Sequence, residues 1–527
     1  MSLSTYAHPV LSCEQAAAHE SEVLKDESAE WSAMQAAGKG IARAAVRDFR
    51  ELRAVPQGLR VLALVGKGNN GGDALIACGQ LLADYPRASV LVLATSPTGD
   101  FKPLAAKAYR QVEGRVELRV VEESQDADAL RELLDAHSQG RGFDICFDGL
   151  LGMAFKPPVR EPARTLIEAV NGYESIALRA AVDLPSGKGD ESDELSFHAD
   201  FSYATGIAKR PLFAGQAGCG RVRYLDLGFF DGEASAESDV RVLREAVLDP
   251  LRKLRSASVD KRSFGHLLVV GGSAYMPGAL LMTVRAAISS GVGLVTAFAP
   301  ASVAASLSAQ VPEAMWVPWP ETSNGTLSPR AMPLLLDRLG RGSAVLAGPG
   351  MGQDRNTELL TMEIMQKVEL PVILDGDALR SRVVEQASKR KSSMGAVVLT
   401  PHMGEYMRVG KLKEPNLSSE TLMHFCKSNR VLTVLKGAIT RICDGEQVLL
   451  NTFGGPVLSR GGSGDLLAGL IGGNIAQENT SVLNAVARGV VWHGSAAECL
   501  ARAKGQVAVR TLQVLDYLPE VLRGAAG

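Results

Sequence analysis

The sequence has little of what marks nucleic-acid-binding and membrane proteins. Aromatic residues make up only 5% of its 527 residues, which is few for a surface on which nucleic-acid bases stack. The 56 Lys and Arg residues against 58 Asp and Glu residues give a net charge of −2, so no excess of basic charge attracts polyanions. No apolar run reaches the roughly 20 residues that a membrane-spanning helix needs. We therefore expect neither nucleic acid nor a membrane as a partner.

Cysteine is scarce and scattered along the chain. The seven cysteines are odd in number, and no two of them stand in C-x-x-C spacing. This pattern excludes a disulfide framework and a cysteine zinc site. The N-terminus shows no basic flank followed by an apolar run, as a secretory signal would. These features predict a reducing, cytoplasmic location.

Short apolar runs recur in both halves of the chain and alternate with helical stretches. Each run has the length and β-branched content of a buried parallel strand, and strands that alternate with helices form parallel α/β sheets. The predicted strands cover 60–65, 89–94, 116–121, 143–147, 176–182, 266–270, 294–299, 344–347, 372–374, 396–400 and 431–436.

The chain is too long for a single hydrophobic core, because domains usually stop growing at about 250–300 residues. The alternation stops at 231–255, which is charged and low in β-branched residues, and then restarts. The first 55 residues are rich in helix formers and are expected to be helical. We predict two α/β domains and a linker, with the boundaries 1–235, 236–255 and 256–527.

A glycine-rich loop follows the first predicted strand and leads into a helix. Its sequence, Gly66-Lys67-Gly68-Asn69-Asn70-Gly71-Gly72-Asp73, satisfies the G-x-G-x-x-G pattern of dinucleotide-binding folds. That pattern also needs an acidic residue about 20 positions further on. The next strand ends in Leu93-Ala94-Thr95-Ser96, without a carboxylate. Ordinary NAD binding is therefore disfavoured.

Short polar side chains follow several predicted strands of this half. Asn70 lies in the glycine loop, Asp148 follows the strand at 143–147, and Ser186 lies in the segment Asp183-Leu184-Pro185-Ser186-Gly187 after another strand. Because the carboxyl ends of parallel strands line one crevice, these side chains could converge as oxygen ligands for a monovalent or divalent cation. The alternative is that Asp73 caps a helix and that Asp148 and Asp183 are turn residues.

Together these segments resemble the NAD(P)H-hydrate epimerase domain over most of residues 10–230. The resemblance implies a Rossmann-like, three-layer fold that interconverts the R and S forms of hydrated NADH or NADPH and binds a potassium ion. It implies that Asp148 is the catalytic acid/base and that Asn70, Asp148 and Ser186 hold potassium. It also implies that the ligand contacts the loop and one more carboxylate, namely Asn69, Asn70, Gly71, Gly72, Asp73 and Asp183.

The sequence departs from the family pattern after Asp148. An Arg is expected there, and residues 152–158 contain none, although Lys156 or Arg160 could replace it. An N-terminal domain that binds the ligand without catalysing epimerisation is therefore the alternative.

A second glycine-rich turn, Gly461-Gly462-Ser463-Gly464-Asp465, precedes an apolar helix in the other half. Glycines ahead of a helix N-terminus expose N–H groups that can bind a phosphate. Asp465 is then placed to accept a proton from a hydroxyl that attacks phosphorus. The turn is not a Walker A motif, and the alternative is a capped, buried helix with a glycine-rich lead-in.

Polar loops follow four other predicted strands of this half. Lys436–Thr440 supplies a cation and a hydroxyl, and Thr400–Glu405 contains His402. Gly348–Gly352 and Asp375–Asp377 end two more strands. Four strand-end loops beside one helix N-terminus predict a nucleotide site at one edge of the sheet.

These motifs are similar to those of the ADP- or ATP-dependent NAD(P)H-hydrate dehydratases, a ribokinase-like family, over about residues 256–520. The similarity lies in Lys261–Gly265, Val270–Ser273, Pro277–Ala279, Pro401–Glu405, Gly462–Gly469 and Trp492–Ala496. It implies that Asp465 deprotonates the hydroxyl of the hydrated cofactor as this hydroxyl attacks the terminal phosphate of ADP, with magnesium on the phosphates. It implies substrate contacts at Ala279, Gly352, His402 and Asp465, and nucleotide contacts at Lys436, Gly437, Ala438, Ile439, Thr440 and Gly464.

We therefore predict a bifunctional repair enzyme built from two three-layer α/β/α domains, one Rossmann-like and one ribokinase-like. The first domain interconverts the epimers, and the second dehydrates the S epimer. A ribokinase-like small-molecule kinase is the alternative, in which Asp465 activates an alcohol and the phosphate stays on the product. The residues do not separate ADP from ATP, and the resemblance suggests a homo-oligomer.

Overall fold

The computed structural model of the chain describes residues 3–215, 218–232, 236–478 and 481–524. Backbone packing separates two compact units: one spans 8–238, and the other spans the chain from 239 onward together with the residues before 8. The boundary predicted after residue 235 falls outside the described residues. No helix in the described part of the chain combines the length and the hydropathy needed to cross a membrane.

The elements before residue 239 alternate as the sequence predicts. In chain order they are α1 (Leu3–Tyr6), β1 (Ala7–Leu11), α2 (Cys13–Val23), α3 (Glu27–Phe49), β2 (Arg60–Val65), α4 (Asn69–Asp84), β3 (Ser89–Ala94), α5 (Pro103–Val112), β4 (Glu117–Val120), α6 (Ala127–Ser138), β5 (Phe143–Gly149), α7 (Ala163–Asn171), β6 (Ile176–Val182), β7 (Phe201–Thr205), β8 (Ala208–Lys209) and β9 (Arg221–Leu225). Strands β4-β3-β2-β5-β6-β7-β9 form a parallel sheet in this order. Strand β1 pairs in parallel with β8.

Helices cover both faces of this sheet, because alternate residues of a strand point to opposite sides. Along β2, Val61, Ala63 and Val65 pack in a cluster with α3, α4 and α5. Leu62 and Leu64 pack on the other side with α6 and α7. Full burial of such a side chain contributes about 1.5–3 kcal/mol. The predicted three-layer arrangement of the N-terminal domain is confirmed.

The elements after residue 239 form a second α/β/α sandwich. They are β10 (Val240–Leu243), β11 (His266–Val270), α8 (Pro277–Ser289), β12 (Leu294–Pro300), α9 (Ala301–Gln310), β13 (Met315–Trp319), α10 (Pro333–Leu336), β14 (Ala344–Ala347), α11 (Arg355–Lys367), β15 (Val372–Leu374), α12 (Ser381–Ala387), β16 (Val397–Leu399), α13 (Met403–Gly410), α14 (Ser419–Asn429), β17 (Leu432–Leu435), β18 (Thr440–Cys443), β19 (Val448–Asn451), α15 (Ser463–Gln477), α16 (Val482–Lys504) and α17 (Leu518–Arg523). Within this unit the strand order is β13-β12-β11-β14-β15-β16-β17-β18-β19-β10. Only β18 runs antiparallel to its neighbours among these described strands.

Helix α15 lies deep in the core of the second unit. Its residues Leu466 and Leu470 pack in one cluster with Leu267 and Val269 of β11. Gly469 lets α15 approach α8 closely, because a Cβ at this position would lie 2.2 Å from the carbonyl oxygen of Thr283. This packing fixes the position of the N-terminus of α15.

Two segments differ from the sequence-based expectation. The first 55 residues are not all helical, because Ala7–Leu11 forms the buried strand β1. The segment 236–255, expected as a linker, contains β10, which pairs with β19, and a 3₁₀ helix at Glu245–Arg252. Four apolar residues of this otherwise charged segment are buried in the second unit, namely Val242, Leu243, Val247 and Leu248.

Candidate active sites

Polar loops meet at the carboxyl edge of the C-terminal sheet, as expected for parallel strands that end side by side. Strands β14, β15, β16 and β17 are neighbours and run in parallel. Lys436 directly follows β17, and its N–H donates to the carbonyl of Pro401, after β16, at 2.8 Å. The turn between β17 and β18 places Gly437, Ala438, Ile439 and Thr440 at this same edge.

Asp465 lies in the first turn of α15. The residue before the helix, Gly462, has a φ of +89°, in the left-handed region that favours glycine. Burial raises the pKa of Asp465 to about 7, the nearby Asp375 carboxylate adds to this rise, and the Lys436 ammonium opposes it. A carboxyl group that titrates near neutral pH can take up and release a proton under physiological conditions.

Lys436 supplies positive charge next to this carboxyl. Its ammonium donates to Asp375 Oδ1 at 3.0 Å, and the same oxygen accepts from Thr400 Oγ1 at 2.6 Å. Burial lowers the pKa of Lys436, but Asp375 and other carboxylates outweigh burial and hold it above its ordinary value. A Cβ at Gly464 would lie 3.2 Å from the ammonium nitrogen. The cation and the N-terminus of α15 can therefore attract the same anion.

His402 caps the N-terminus of α13. Its Nδ1 accepts from the N–H groups of Gly404 at 3.0 Å and Glu405 at 3.3 Å. The carboxylate of Glu405 in turn accepts from the His402 N–H at 2.9 Å. Since Nδ1 accepts, the neutral ring carries its proton on Nε2, and 62% of the side chain is exposed. His402 Nε2 lies 3.6 Å from Glu405 Oε1, and the exposed ring stands at the open edge of the site.

Gly352 and Ala279 lie at the other end of this edge. The Gly352 N–H donates to Asp377 Oδ2 at 2.9 Å, and Asp377 is one of the charges that raise the pKa of Asp465, after burial. Gly352 has a φ of +84°, and a Cβ here would lie 2.2 Å from the hydroxyl of Tyr275. Ala279 lies in the first turn of α8. These contacts connect the Gly352 loop to the surroundings of Asp465.

In the N-terminal unit, one chain of hydrogen bonds joins Asp148, Ser186 and Asn70. Asp148 is fully buried, and its two oxygens accept from the Ser186 hydroxyl at 2.6 Å and the Ser186 N–H at 2.7 Å. Ser186 Oγ accepts from the Leu151 N–H at 2.9 Å, and the Leu151 carbonyl accepts from the Asn70 amide at 2.9 Å. Three side chains that are far apart in the sequence are therefore brought together.

The donors in this chain are chemically suited to a hard cation. Asn70 Oδ1 has no hydrogen-bond partner among the described residues, and Asp148 and Ser186 add three more oxygens. Burial raises the pKa of Asp148 to about 6, although hydrogen bonds from Ser186 and Leu150 oppose the rise. Within the described ranges, no group of three or more His, Cys, Asp or Glu side chains is arranged to hold a metal ion.

The glycines of the N-terminal loop allow close backbone packing. A Cβ at Gly66 would lie 2.0 Å from the Leu150 carbonyl oxygen, and one at Gly71 would lie 2.1 Å from the Gly66 oxygen. A Cβ at Gly68 would have no neighbour within 4 Å. Two of the three glycines in the G-x-G-x-x-G match are therefore required by the fold of the loop itself, and only Gly68 leaves open space.

A second group of charges lies beside the same loop. The fully buried Lys209 ammonium donates to Asp183 Oδ1 at 2.6 Å and lies 3.9 Å from Glu20 Oε1. Burial raises the pKa of Glu20 to about 7, with Lys209 opposing. Burial also raises the pKa of Asp73 well above its usual value, and Asp183 and Glu20 add to the rise. Asp73 and Asp183 are therefore part of one charged cluster.

Two cavities of the second unit are not lined by Asp465. One, of about 910 Å³, is lined by Gln477 and Glu478 at the opposite end of α15. The other, of about 720 Å³, is lined by Gly461 and Thr511 but not by Asp465 or Lys436. The candidate site is therefore defined by its side chains rather than by either cavity.

Comparison with known proteins shows the family of the chain. A family model described as NAD(P)H-hydrate dehydratase matches residues 267–520, and one described as YjeF-related protein N-terminus matches residues 31–210. The bifunctional NAD(P)H-hydrate repair enzyme Nnr of Moorella thermoacetica is 32% identical over 479 residues, which cover 88% of this chain and 87% of that protein. The Nnr of Gloeobacter violaceus is 33% identical over 491 residues, covering 89% of each.

The chain belongs to the bifunctional NAD(P)H-hydrate repair enzyme family. Among solved structures, the ADP/ATP-dependent NAD(P)H-hydrate dehydratase from Bacillus subtilis, co-crystallized with ATP/Mg²⁺, is 26% identical. It covers 51% of this chain and 93% of that chain, with a TM-score of 0.43. The predicted family is confirmed by the relatives, and the predicted fold class of two α/β domains is confirmed by the two largely parallel sheets.

In this member of the repair enzyme family, the sequence also missed residues that lie beside the predicted ones. Lys209, Glu20 and Thr205 contact or face Asp183, and none of them was singled out. Asp375 was noted as a strand-end residue but not as the partner of Lys436. In the sequence, Lys209 could have been recognised as a charged residue directly after the apolar pair Ile207-Ala208. If such a lysine is buried, it needs a buried acidic partner.

Proposed function

We propose that the C-terminal unit dehydrates the S epimer of hydrated NADH or NADPH at the expense of ADP. The observation that carries this proposal is the position of the Asp465 carboxyl, in the first turn of a helix with a glycine-rich N-terminus that lies beside the Lys436 ammonium. A base, an anion-binding turn and a cation in one place are what transfer of a phosphoryl group to an alcohol requires.

In the proposed reaction, Asp465 takes the proton of the substrate hydroxyl while the hydroxyl oxygen attacks the terminal phosphorus of ADP. The bond between that phosphorus and the bridging oxygen breaks, and AMP leaves. The new phosphate ester then loses phosphate, and the neighbouring ring carbon loses a proton, which restores the reduced nicotinamide. One hydrate and one ADP thus give NAD(P)H, AMP, phosphate and one proton.

The remaining residues divide between the two substrates. Lys436, Gly437, Ala438, Ile439, Thr440 and Gly464 would contact the nucleotide, and Ala279, Gly352 and His402 would contact the hydrate. Support comes from two contacts, because the Lys436 ammonium lies beside Gly464 and the Gly352 N–H donates to Asp377. Magnesium bound with the nucleotide would shield the phosphate charges; we assign it no ligand from this chain.

The test is incubation of the purified full chain with mixed hydrate epimers and either ADP or ATP. Recovery of the absorbance of reduced nicotinamide, together with release of phosphate and AMP from ADP, is the expected result. Asp465→Asn should remove this activity. A stable phosphoester in place of free phosphate would contradict the dehydratase and indicate a small-molecule kinase.

We propose further that the N-terminal unit interconverts the R and S epimers, with Asp148 as acid/base. Potassium would be held by Asn70, Asp148 and Ser186, where it would fix the loops that surround the ligand. Support comes from the hydrogen-bonded chain through these residues and from the unpartnered Asn70 oxygen. The ligand would contact 69–73 and Asp183.

Pure R epimer with excess ADP tests the epimerase, because only the S epimer is dehydrated. Conversion well above the spontaneous rate, dependent on potassium, is expected. Conversion at the spontaneous rate would indicate an N-terminal domain that binds without catalysis.

A homo-oligomeric state, testable by light scattering, and a cytoplasmic location stay predictions.

A further inference from the structure

The two carboxylate oxygens of Asp183 have very different surroundings. Oδ1 accepts from the Lys209 ammonium at 2.6 Å, and from the N–H and the hydroxyl of Thr205 at 3.2 Å each. Oδ2 has no hydrogen-bond partner among the described residues. One oxygen is therefore saturated by three donors, and the other is left as an acceptor.

The backbone of Asp183 is held as firmly as its side chain. Its φ is +65°, a left-handed conformation that non-glycine residues adopt rarely and that Asp tolerates better than most. Its N–H donates to the Tyr203 carbonyl at 3.1 Å. Such a conformation persists only where the surroundings enforce it, and it occurs often at ligand-binding sites. The backbone conformation and the contacts of Oδ1 together fix the direction in which Oδ2 points.

Lys209 is an unusual residue for its position. It is fully buried on the short strand β8. A buried ammonium is costly unless it is paired. Besides Asp183 it donates to the Thr205 carbonyl at 3.3 Å and lies 3.9 Å from Glu20.

We propose that Lys209 is a positioning residue of the epimerase site, which locks Asp183 so that Oδ2 accepts a hydrogen bond from an N–H or O–H group of the ligand. The proposal rests on the epimerase function proposed above, and it deepens the contact assigned to Asp183. The hydrated dinucleotide carries both kinds of donor, in its carboxamide and in its ribose hydroxyls. Without Lys209, the Asp183 carboxyl group loses its shortest hydrogen bond and with it its fixed orientation.

The sharpest test is Asp183→Asn, which has nearly the same shape as the native residue. Because three donors hold Oδ1, the amide must place its oxygen there and its NH₂ group where Oδ2 was. The acceptor becomes a donor, so we expect KM for the R epimer to rise by about tenfold or more, with a smaller change in kcat. An unchanged KM would overturn the proposal.

A double-mutant cycle separates positioning from mere structural support. In Lys209→Met the side chain at 183 can rotate, so Asp183→Asn should cost less in this background than in the native chain. Lys209→Met alone should raise KM more than the matched control Thr205→Val, which removes only one of the two weaker donors. Equal, additive effects of the Asp183 and Lys209 changes would contradict the proposal.

Calorimetry with the R epimer of hydrated NADH, without nucleotide, tests the same contact independently of turnover. We expect the N-terminal binding event to weaken in Asp183→Asn and Lys209→Met, and to weaken less in Thr205→Val, which keeps two of the three donors to Oδ1. If the native chain fails to convert the R epimer, the epimerase function fails, yet this titration still decides the role of Asp183. Unaltered binding in Asp183→Asn would refute the role of Oδ2.

An analogue whose carboxamide is replaced by a methyl ketone identifies the donor group of the ligand. The native chain should bind this analogue as weakly as Asp183→Asn binds the R epimer only if the carboxamide donates to Oδ2.

Discussion

The Lys436 ammonium donates to Asp375 at 3.0 Å, although these two residues follow strands that are separated by β16. The contact holds a cation beside Gly464 and the N-terminus of α15. It also leaves Lys436 with a buried partner, which is what allows a charged side chain to stay at the edge of a hydrophobic core. The first prediction concerns this pair.

Lys436→Met removes the cation and leaves Asp375 and Asp465 without it. We expect KM for ADP to rise by about tenfold or more, because a charge-assisted contact to phosphate is lost. Steady-state kinetics with saturating hydrate measure this change. Conversion of R to S epimer by the other unit should be unaffected, and an unchanged KM for ADP would exclude a nucleotide role for Lys436.

The dehydration rate should depend on pH through Asp465. The carboxyl must be ionised to act as a base, and burial raises its pKa to about 7. The rate should therefore rise by about tenfold from pH 6 to pH 8 and then level off. In Asp375→Asn one of the charges that raise this pKa is gone, so the rise should move to lower pH. A flat profile across this range would contradict the assignment of Asp465.

The same pKa makes a prediction about stability. The folded-state pKa of about 7 lies above the ordinary value of 3.8, so the folded chain binds more protons between these limits. The contribution of Asp465 to stability should then be greatest below about pH 4 and be lost as the pH rises through about 7. Asp465→Asn cannot ionise and should unfold at a higher temperature than the native chain at pH 8, but not at pH 4. Calorimetric melting at both pH values checks this sign.

Two glycines of one turn provide a matched pair of variants. Gly464→Ala would place a Cβ 3.2 Å from the Lys436 ammonium, whereas a Cβ at Gly461 would meet nothing within 4 Å. We expect Gly464→Ala to raise KM for ADP several-fold, while its stability holds, since Ala favours helices by about 1 kcal/mol over Gly. Gly461→Ala should bind ADP like the native chain. Equal behaviour of the two variants would refute the proposed phosphate position.

Asp148→Asn preserves the shape of the side chain but removes its charge and acid/base function. Consumption of pure R epimer in the presence of ADP should fall to the spontaneous rate. Dehydration of pure S epimer should continue at the native rate, which serves as the internal control. Potassium should lose its effect on the R epimer, because one of its proposed oxygen ligands is neutral. Unchanged consumption of the R epimer would favour an N-terminal domain that only binds.

Much of the fold and part of the site could be predicted before the structure. The strands at 60–65, 89–94, 176–182 and 266–270 are confirmed. Continuous apolar runs of this length are typical of buried parallel strands. The segment 236–255 was expected to be a linker, but it contains a strand and a 3₁₀ helix. Its few buried apolar residues stand among many charged ones, so the sequence shows no apolar run there. Strand β1 was missed for a similar reason, as a short run among helix formers.

By itself, the sequence determined the order of strands and helices, the glycine turns and the family, because these depend on residues that are close together along the chain. Only the tertiary structure decided which acid faces which cation. Asp375 meets Lys436 and Asp183 meets Lys209 through sheet order and burial. Neither can be inferred from spacing, because a parallel sheet joins residues whose separation in the chain depends on the intervening loops and helices.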